Sequence, residues 1–206
     1  MEPWPRYLEA RRQELRTKAP MWETAVWKLN AADYGLPQSR RRIYLVGVNA
    51  HLGLQLPPPP KVWKTCTSIT DVMHPGIPPL MHLHHRPRAE NLVANLREYR
   101  TLLEWGKLAA IELDRSPKAG MGPWMRQDEH CTCLRTCNEH IWLERLPDIS
   151  RQLHPLERFS LQGFPPIIGA HLSKKEVLRH TGNSFAVPSL GAVLAQLHNA
   201  TADQCE

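Results

Sequence analysis

Three polar side chains, Gln38, Arg40 and Arg42, alternate along a stretch that follows the turn residues Gly35-Leu36-Pro37. Side chains of an extended segment alternate with period two, so the spacing predicts that all three are aimed at one surface. Two guanidinium groups and an amide there suit an anionic, hydrogen-bonding partner. With Arg41 between them, the same residues also read as a solvated strand end. Gly182-Asn183-Ser184 is a second candidate, because glycine and asparagine serve where a backbone takes positive φ or approaches a ligand closely. Histidine and cysteine crowd in two further places. His82, His84 and His85 cannot all point inward from an extended segment, and no carboxylate or cysteine stands at ligand spacing nearby, so a surface tract is expected rather than a metal site. His130, Cys131, Cys133, Cys137 and His140 form one crowded run, whereas a zinc site uses two separated pairs; strand and loop are expected, without metal.

The elements that must hold these residues follow from pattern. Thr24 to Leu29 reads as a short strand leading into the first group. Ile43 to Val48 is apolar and β-branched without clean alternation, which predicts a strand buried on both faces of an α/β sheet. Arg6 to Lys18 is a charged helix, and Leu56 to Pro60 a stiff polyproline stretch that marks a boundary. Ala89 to Lys107 is the clearest helix, with an apolar stripe of Leu92, Leu96, Tyr99, Leu102 and Leu103. Ala109 to Leu113 reads as a strand and Asp114 to Pro123 as a flexible loop. Pro155, with Glu157 two places on, opens a helix that Gly163 stops. Leu190 to Leu197 suits a closing helix.

At 206 residues the chain holds one domain, or one and a half, with a real core. Its 26 Lys and Arg against 20 Asp and Glu give a net charge of +6, which leans toward an anionic partner. No run approaches the roughly 18 consecutive apolar residues that span a bilayer, and Met1-Glu2-Pro3-Trp4-Pro5 lacks a signal-peptide core. Five cysteines, an odd number without framework spacing, point to reduced thiols and an intracellular place.

The wording of three segments is more specific than their pattern. Arg151-Gln152-Leu153-His154-Pro155-Leu156-Glu157-Arg158-Phe159-Ser160-Leu161-Gln162-Gly163-Phe164-Pro165, followed by Gly182-Asn183-Ser184-Phe185-Ala186-Val187-Pro188, resembles the last two conserved motifs of the DNA (cytosine-5)-methyltransferases. Asn30-Ala31-Ala32-Asp33-Tyr34-Gly35-Leu36-Pro37-Gln38-Ser39-Arg40-Arg41-Arg42 resembles that family's N-A-x-x-Y-G-x-P-Q-x-R-x-R motif. The likeness covers most of Val26 to Leu197 and implies an α/β fold: the C-terminal part of a doubly wound S-adenosylmethionine-dependent methyltransferase with a small irregular target-recognition domain inserted. It implies a catalytic-domain edge at residues 1–55, the target-recognition region at 56–148, and C-terminal motifs returning to the catalytic domain at 149–206. Ser68 to Met73 resembles the short helix that opens the recognition region, and Cys133-Leu134-Arg135-Thr136 resembles a T-L-x-T-like strand. By the same resemblance Gln38, Arg40 and Arg42 lie by the flipped cytosine and the adjacent DNA backbone, with Arg42 nearest the base. Asn183 and Ser184 belong to the pocket of S-adenosyl-L-methionine. Arg158, Gln162 and Gly163 take a scaffold role, and the Leu190 to Leu197 helix packs back on an N-terminal half.

Methylation at cytosine C5 needs a nucleophile, an acid, a bound donor and a base taken out of the stack. The family supplies the first three from a Pro-Cys-Gln loop, a Glu-Asn-Val strand end and a Phe-x-Gly-x-Gly loop, none of which occurs in these 206 residues. No catalytic residue is therefore assigned, and no methyl transfer is expected from the chain alone. The implied partners are duplex DNA and an N-terminal methyltransferase half, in the same gene or as a second chain; the implied place is the nucleus in a eukaryote. A truncated gene, one chain of a two-chain enzyme and a degenerate copy all stay open, as does a catalytically dead DNA-binding or scaffolding module.

Overall fold

The computed structural model describes residues 4–63, 67–74, 89–118, 120 and 124–202. The His82, His84 and His85 tract, with Cys66 and Cys205, lies outside them. Helix α1 (Trp4–Lys18) leads to strands β1 (Trp22–Asn30) and β2 (Arg41–Asn49), joined through a 3-10 turn at Ala31–Tyr34. A capped 3-10 turn at Ile69–Val72 precedes α2 (Ala89–Arg100), then β3 (Ala109–Glu112), β4 (Met125–Arg126), β5 (Ile141–Arg145) and β6 (Ile149–Gln152). Helices α3 (Pro155–Ser160), α4 (Lys174–Asn183) and α5 (Val187–Ala202) complete the order. No helix among the described residues is long and apolar enough to cross a membrane.

Strands β1 and β2 pair antiparallel along their full length, from Trp22 opposite Asn49 to Asn30 opposite Arg41. Burial along β2 alternates: Tyr44, Val46 and Val48 are buried, while Leu45 is 43% exposed. The expected burial on both faces is thus not found among the described residues. Helix α5 covers one face of the pair, setting Ala192 and Val193 against Trp27, Tyr34, Tyr44 and Val46. The closing helix therefore has a partner inside the chain, although Leu194 on its outer side stays 58% exposed. It also begins at Val187, earlier than apolar spacing indicated, because Pro188 fits the first turn of a helix. The polyproline stretch lies against the same unit, where Pro60 O accepts from the Tyr34 hydroxyl at 3.0 Å and Leu56 packs on the core.

The second sheet is antiparallel in the order β4-β3-β5-β6. Helix α2 packs Leu92, Leu96 and Tyr99 on Ile111 and Trp142 of this sheet. It ends at Arg100, short of the expected Lys107, and the chain continues in turns through Gly106. Between Cys131 and His140 the expected strand is reduced to one bridge between Cys131 and Gln38, because the backbone groups there are taken by side chains: Asn138 accepts from Arg135 N and donates to Cys133 O. Of the loop expected at Asp114 to Pro123, the structure describes 114–118 and 120.

Candidate functional site

Helix α3 begins as its sequence dictates. Pro155 fixes the first turn, His154 Nδ1 accepts from Leu156 N at 3.2 Å, and Glu157 accepts from His154 N at 2.8 Å. The buried Glu157 carboxylate also receives both terminal nitrogens of Arg151, at 2.8 and 2.6 Å, and the amide of His74 at 2.9 Å. A buried carboxylate is tolerated only when paired and hydrogen-bonded in this way. The anchored helix presents Arg158 inward, and the turn after it presents Gln162.

Arg158 is 3% exposed and donates to Asn138 O at 3.1 Å and Asn138 Oδ1 at 3.0 Å, with longer bonds to Arg135 O and Thr181 Oγ1. Burial lowers its pKa to about 10, with Cys131 and several carboxylates acting against the shift. Gln162 donates to Gln38 Oε1 at 3.1 Å and to Thr181 O at 3.2 Å. Gly163 has φ +79, and a Cβ there would stand 2.7 Å from Pro188 Cδ. That close approach lets Val187 N reach Gln162 O at 2.8 Å and start α5.

Gln38 and Arg40 do not share an outward surface with Arg42: they are 0% and 1% exposed. The leading segment between the 3-10 turn and β2 passes under the Cys131 to Leu134 loop, so its alternate side chains turn into protein. Arg40 donates to Leu134 O at 2.5 Å and, through Nη2, to the carbonyl oxygens of Gly182 and Ser184, both at 2.7 Å. Its Nη1 also lies 3.7 Å from Cys133 Sγ. Burial lowers the Arg40 pKa, and the neighbouring charge of Arg42 lowers it further. Arg42 is half-buried, and its guanidinium donates to Arg41 O at 3.0 Å.

Gly182 and Asn183 end α4 without positive φ, so of the two uses expected of such residues, positive φ and close approach, the first does not occur there. Gly182 is needed for contact instead, since a Cβ would lie 2.4 Å from Thr136 N. Asn183 is exposed and Ser184 half-buried, and both line an open groove of about 610 Å³ together with Phe159, Phe164, Arg179 and His180. Two arginine forks thus hold one loop, residues 133–138, between strand lead and helix end. Asn138, which carries the centre of that loop, has no local sequence signal beyond being a polar residue in a cysteine-rich run. The stack of Arg115 and Arg135 on Trp124, at 4.2 and 5.6 Å from its centroid with Glu112 paired to both, was likewise not legible from spacing. Cys131 is buried and its thiol pushed up to about 12 by burial, while Cys137 is exposed.

The arrangement of these three segments defines a class. Residues 23–199 match the model of the C-5 cytosine-specific DNA methylases, and the chain belongs to that family. It is 26% identical to the Type II methyltransferase M1.ScrFI of Lactococcus lactis subsp. cremoris over 84% of this chain and 42% of the relative. It is 26% identical to the Type II methyltransferase M.NlaX of Neisseria lactamica over 84% of this chain and 51% of the relative. The chain thus spans about half the length of the curated relatives it matches. Its fold is similar to a DNA modification methyltransferase encoded within an E. coli prophage, with TM-score 0.61 and 17% identity over 96% of this chain and 66% of that one. It is similar also to the Entamoeba histolytica methyltransferase EhMeth, with TM-score 0.54 and 15% identity over 97% and 59%. The mixed helices and sheets are those of an α/β methyltransferase fold.

Proposed function

We propose that this chain supplies the DNA-reading and closing part of a DNA (cytosine-5)-methyltransferase, and that the nucleophilic thiol, the acid and the donor-binding loop come from an N-terminal half, in the same gene or as a second chain. The observation that carries this reading is the bond between Arg40 and the carbonyls of Gly182 and Ser184, which makes the segment matched to the flipped cytosine continuous with the segment matched to the donor pocket. In this reading Gln38, Arg40, Arg158, Gln162 and Gly163 are scaffold, and Arg42 alone of the first three is left to meet DNA. S-adenosyl-L-methionine would bring the methyl group on its sulfonium. The residues present fit one wall for it, with the Asn183 amide and Ser184 on the rim of an open groove. Residues 56–148 would read duplex DNA, an intracellular task and a nuclear one in a eukaryote.

A second reading, a DNA-binding or scaffolding module without catalysis, is favoured by the packing of α5 on β1 and β2, which gives the chain a core of its own. The first reading and the DNA-binding form of the second require DNA. Fluorescence anisotropy with duplex DNA over a salt series tests them, with Arg42→Gln compared against Lys175→Gln, an exposed position on α4. Loss of a phosphate contact at Arg42 should flatten the slope of log K against log salt by about 0.9, and Lys175 should leave it unchanged. Equal effects from the two variants would remove the specific role of Arg42.

A further inference from the structure

Arg115 and Arg135 approach the same carboxylate oxygen. Glu112, the last residue of β3, is buried, and its Oε1 lies 3.7 Å from Arg115 Nε and pairs with Arg135 Nη2. Sharing one oxygen sets the two guanidinium groups side by side, with the Trp124 ring as their common apolar support. One arginine suffices to neutralise one buried carboxylate. The cluster therefore carries a surplus positive charge, on side chains that stay 39% and 32% exposed. The neighbouring acids are engaged elsewhere, Asp114 with His140 at 2.7 Å and Glu98 with Lys118 at 2.8 Å. The Arg115 contact with Glu112 is longer than a hydrogen bond, so that carboxylate does not take its donor edge.

We infer that Arg115 and Arg135 form one clamp that grips a single backbone phosphate of duplex DNA, while Glu112 and Trp124 hold the pair in place. The inference rests on the proposed reading that residues 56–148 meet duplex DNA, and it names the two side chains in that stretch that fix the register of the duplex. Both stand on fixed backbone. The buried Tyr99 hydroxyl donates to Arg115 O at 3.1 Å and accepts from Trp124 N at 3.1 Å, and Arg135 N donates to Asn138 Oδ1 at 2.8 Å. Donors positioned in advance lose little conformational freedom on binding, and the planar edge of a guanidinium matches two phosphate oxygens at once. Arg135 follows Leu134, whose carbonyl takes Arg40 at 2.5 Å, and Arg40 stands two positions before Arg42. The clamp thus lies next along the chain of contacts that leads from Arg42.

The test is anisotropy of the full chain with one duplex of fixed sequence over a salt series, with melting curves of each protein alongside. It compares the unsubstituted chain with Arg115→Gln, Arg115→Lys, the double variant Arg115→Gln/Arg135→Gln, and Lys107→Gln, an exposed position before the other end of β3. One shared phosphate predicts that the double variant flattens the slope of log K against log salt by about 0.9, that Arg115→Gln gives part of this loss, and that Lys107→Gln gives none. Arg115→Lys should keep the slope but bind more weakly, because it keeps the charge without the planar edge. A purely structural pair would lower the melting temperature and leave the slope unchanged, which overturns the clamp. Flattening by about 1.8 in the double variant would mean two separate phosphates and overturn the shared grip. Should the double variant fail to fold, Arg115→Gln decides, since it leaves the Arg135 to Glu112 pair intact. Absence of DNA binding by the unsubstituted chain overturns the underlying reading and the clamp with it, whereas binding with an unchanged slope in Arg115→Gln overturns the clamp alone.

Discussion

The Gln162 amide donates to Gln38 Oε1 at 3.1 Å across 124 positions of sequence, in an interior closed to solvent. Each glutamine has its other polar atom without a partner among the described residues. Removing one amide strands the other, whereas removing both replaces a half-satisfied pair with apolar contact. Gln38→Met and Gln162→Met should each cost about 1–3 kcal/mol, and the double variant less than their sum, by urea unfolding. Strict additivity would mean that the pair does not couple the segments.

Gly182 sits in a regular helix turn yet leaves no room for a methyl group against Arg135 and Thr136, whose backbone atoms would lie 2.7 and 2.4 Å from its Cβ. Neither neighbour can rotate away, since both contacts are with backbone. Gly182→Ala should therefore destabilise by about 2–3 kcal/mol despite alanine's better helix propensity, with a melting temperature lower by roughly 5–10 °C. A melting point at or above that of the unsubstituted chain would contradict the close packing of α4 on the 133–138 loop.

What was legible in advance divides by range. The Pro155 start, the Gly163 stop and the span of β1 follow from local chemistry, and the structure agrees within a few residues. The three motif segments are recognisable as words. The inward turn of Gln38 and Arg40 was not legible, because period-two alternation says which side chains share a face and not which face is covered. The cover is the loop around Asn138, nearly a hundred positions away, and pairing across that distance leaves no periodic trace. Gly182 stayed ambiguous for a related reason: glycine marks either positive φ or close approach, and only the position of Thr136, a protein neighbour and not a ligand, separates the two.

His154 caps α3 through Nδ1, which must be unprotonated to accept from Leu156 N. Burial lowers its pKa from 6.5; Glu157 pulls upward, and Arg151 and His74 push down. The folded state therefore binds fewer protons than the unfolded state. The contribution of this group is present above about pH 6.5 and is lost as pH falls through the lowered value. His154→Asn keeps a capping oxygen without titrating. Melting curves of the two proteins should run parallel above pH 7 and diverge toward pH 5, with the unsubstituted chain losing more. Parallel curves throughout would show that the cap does not titrate.

In the proposed reading this chain holds the DNA-reading and closing segments but not the reacting groups. Without a positioned thiolate, C5 of cytosine does not become nucleophilic, and of the thiols the structure describes, Cys131 is buried with its pKa raised while Cys133 and Cys137 lie in the loop that Arg158 holds. The direct measurement is tritium transfer from labelled S-adenosyl-L-methionine to cytosine-containing duplex DNA. It compares the purified chain with the same chain mixed with an N-terminal half that carries a Pro-Cys-Gln loop. No transfer by the chain alone and transfer by the mixture are expected. Transfer by the chain alone that survives replacing all five cysteines with serine would contradict the account.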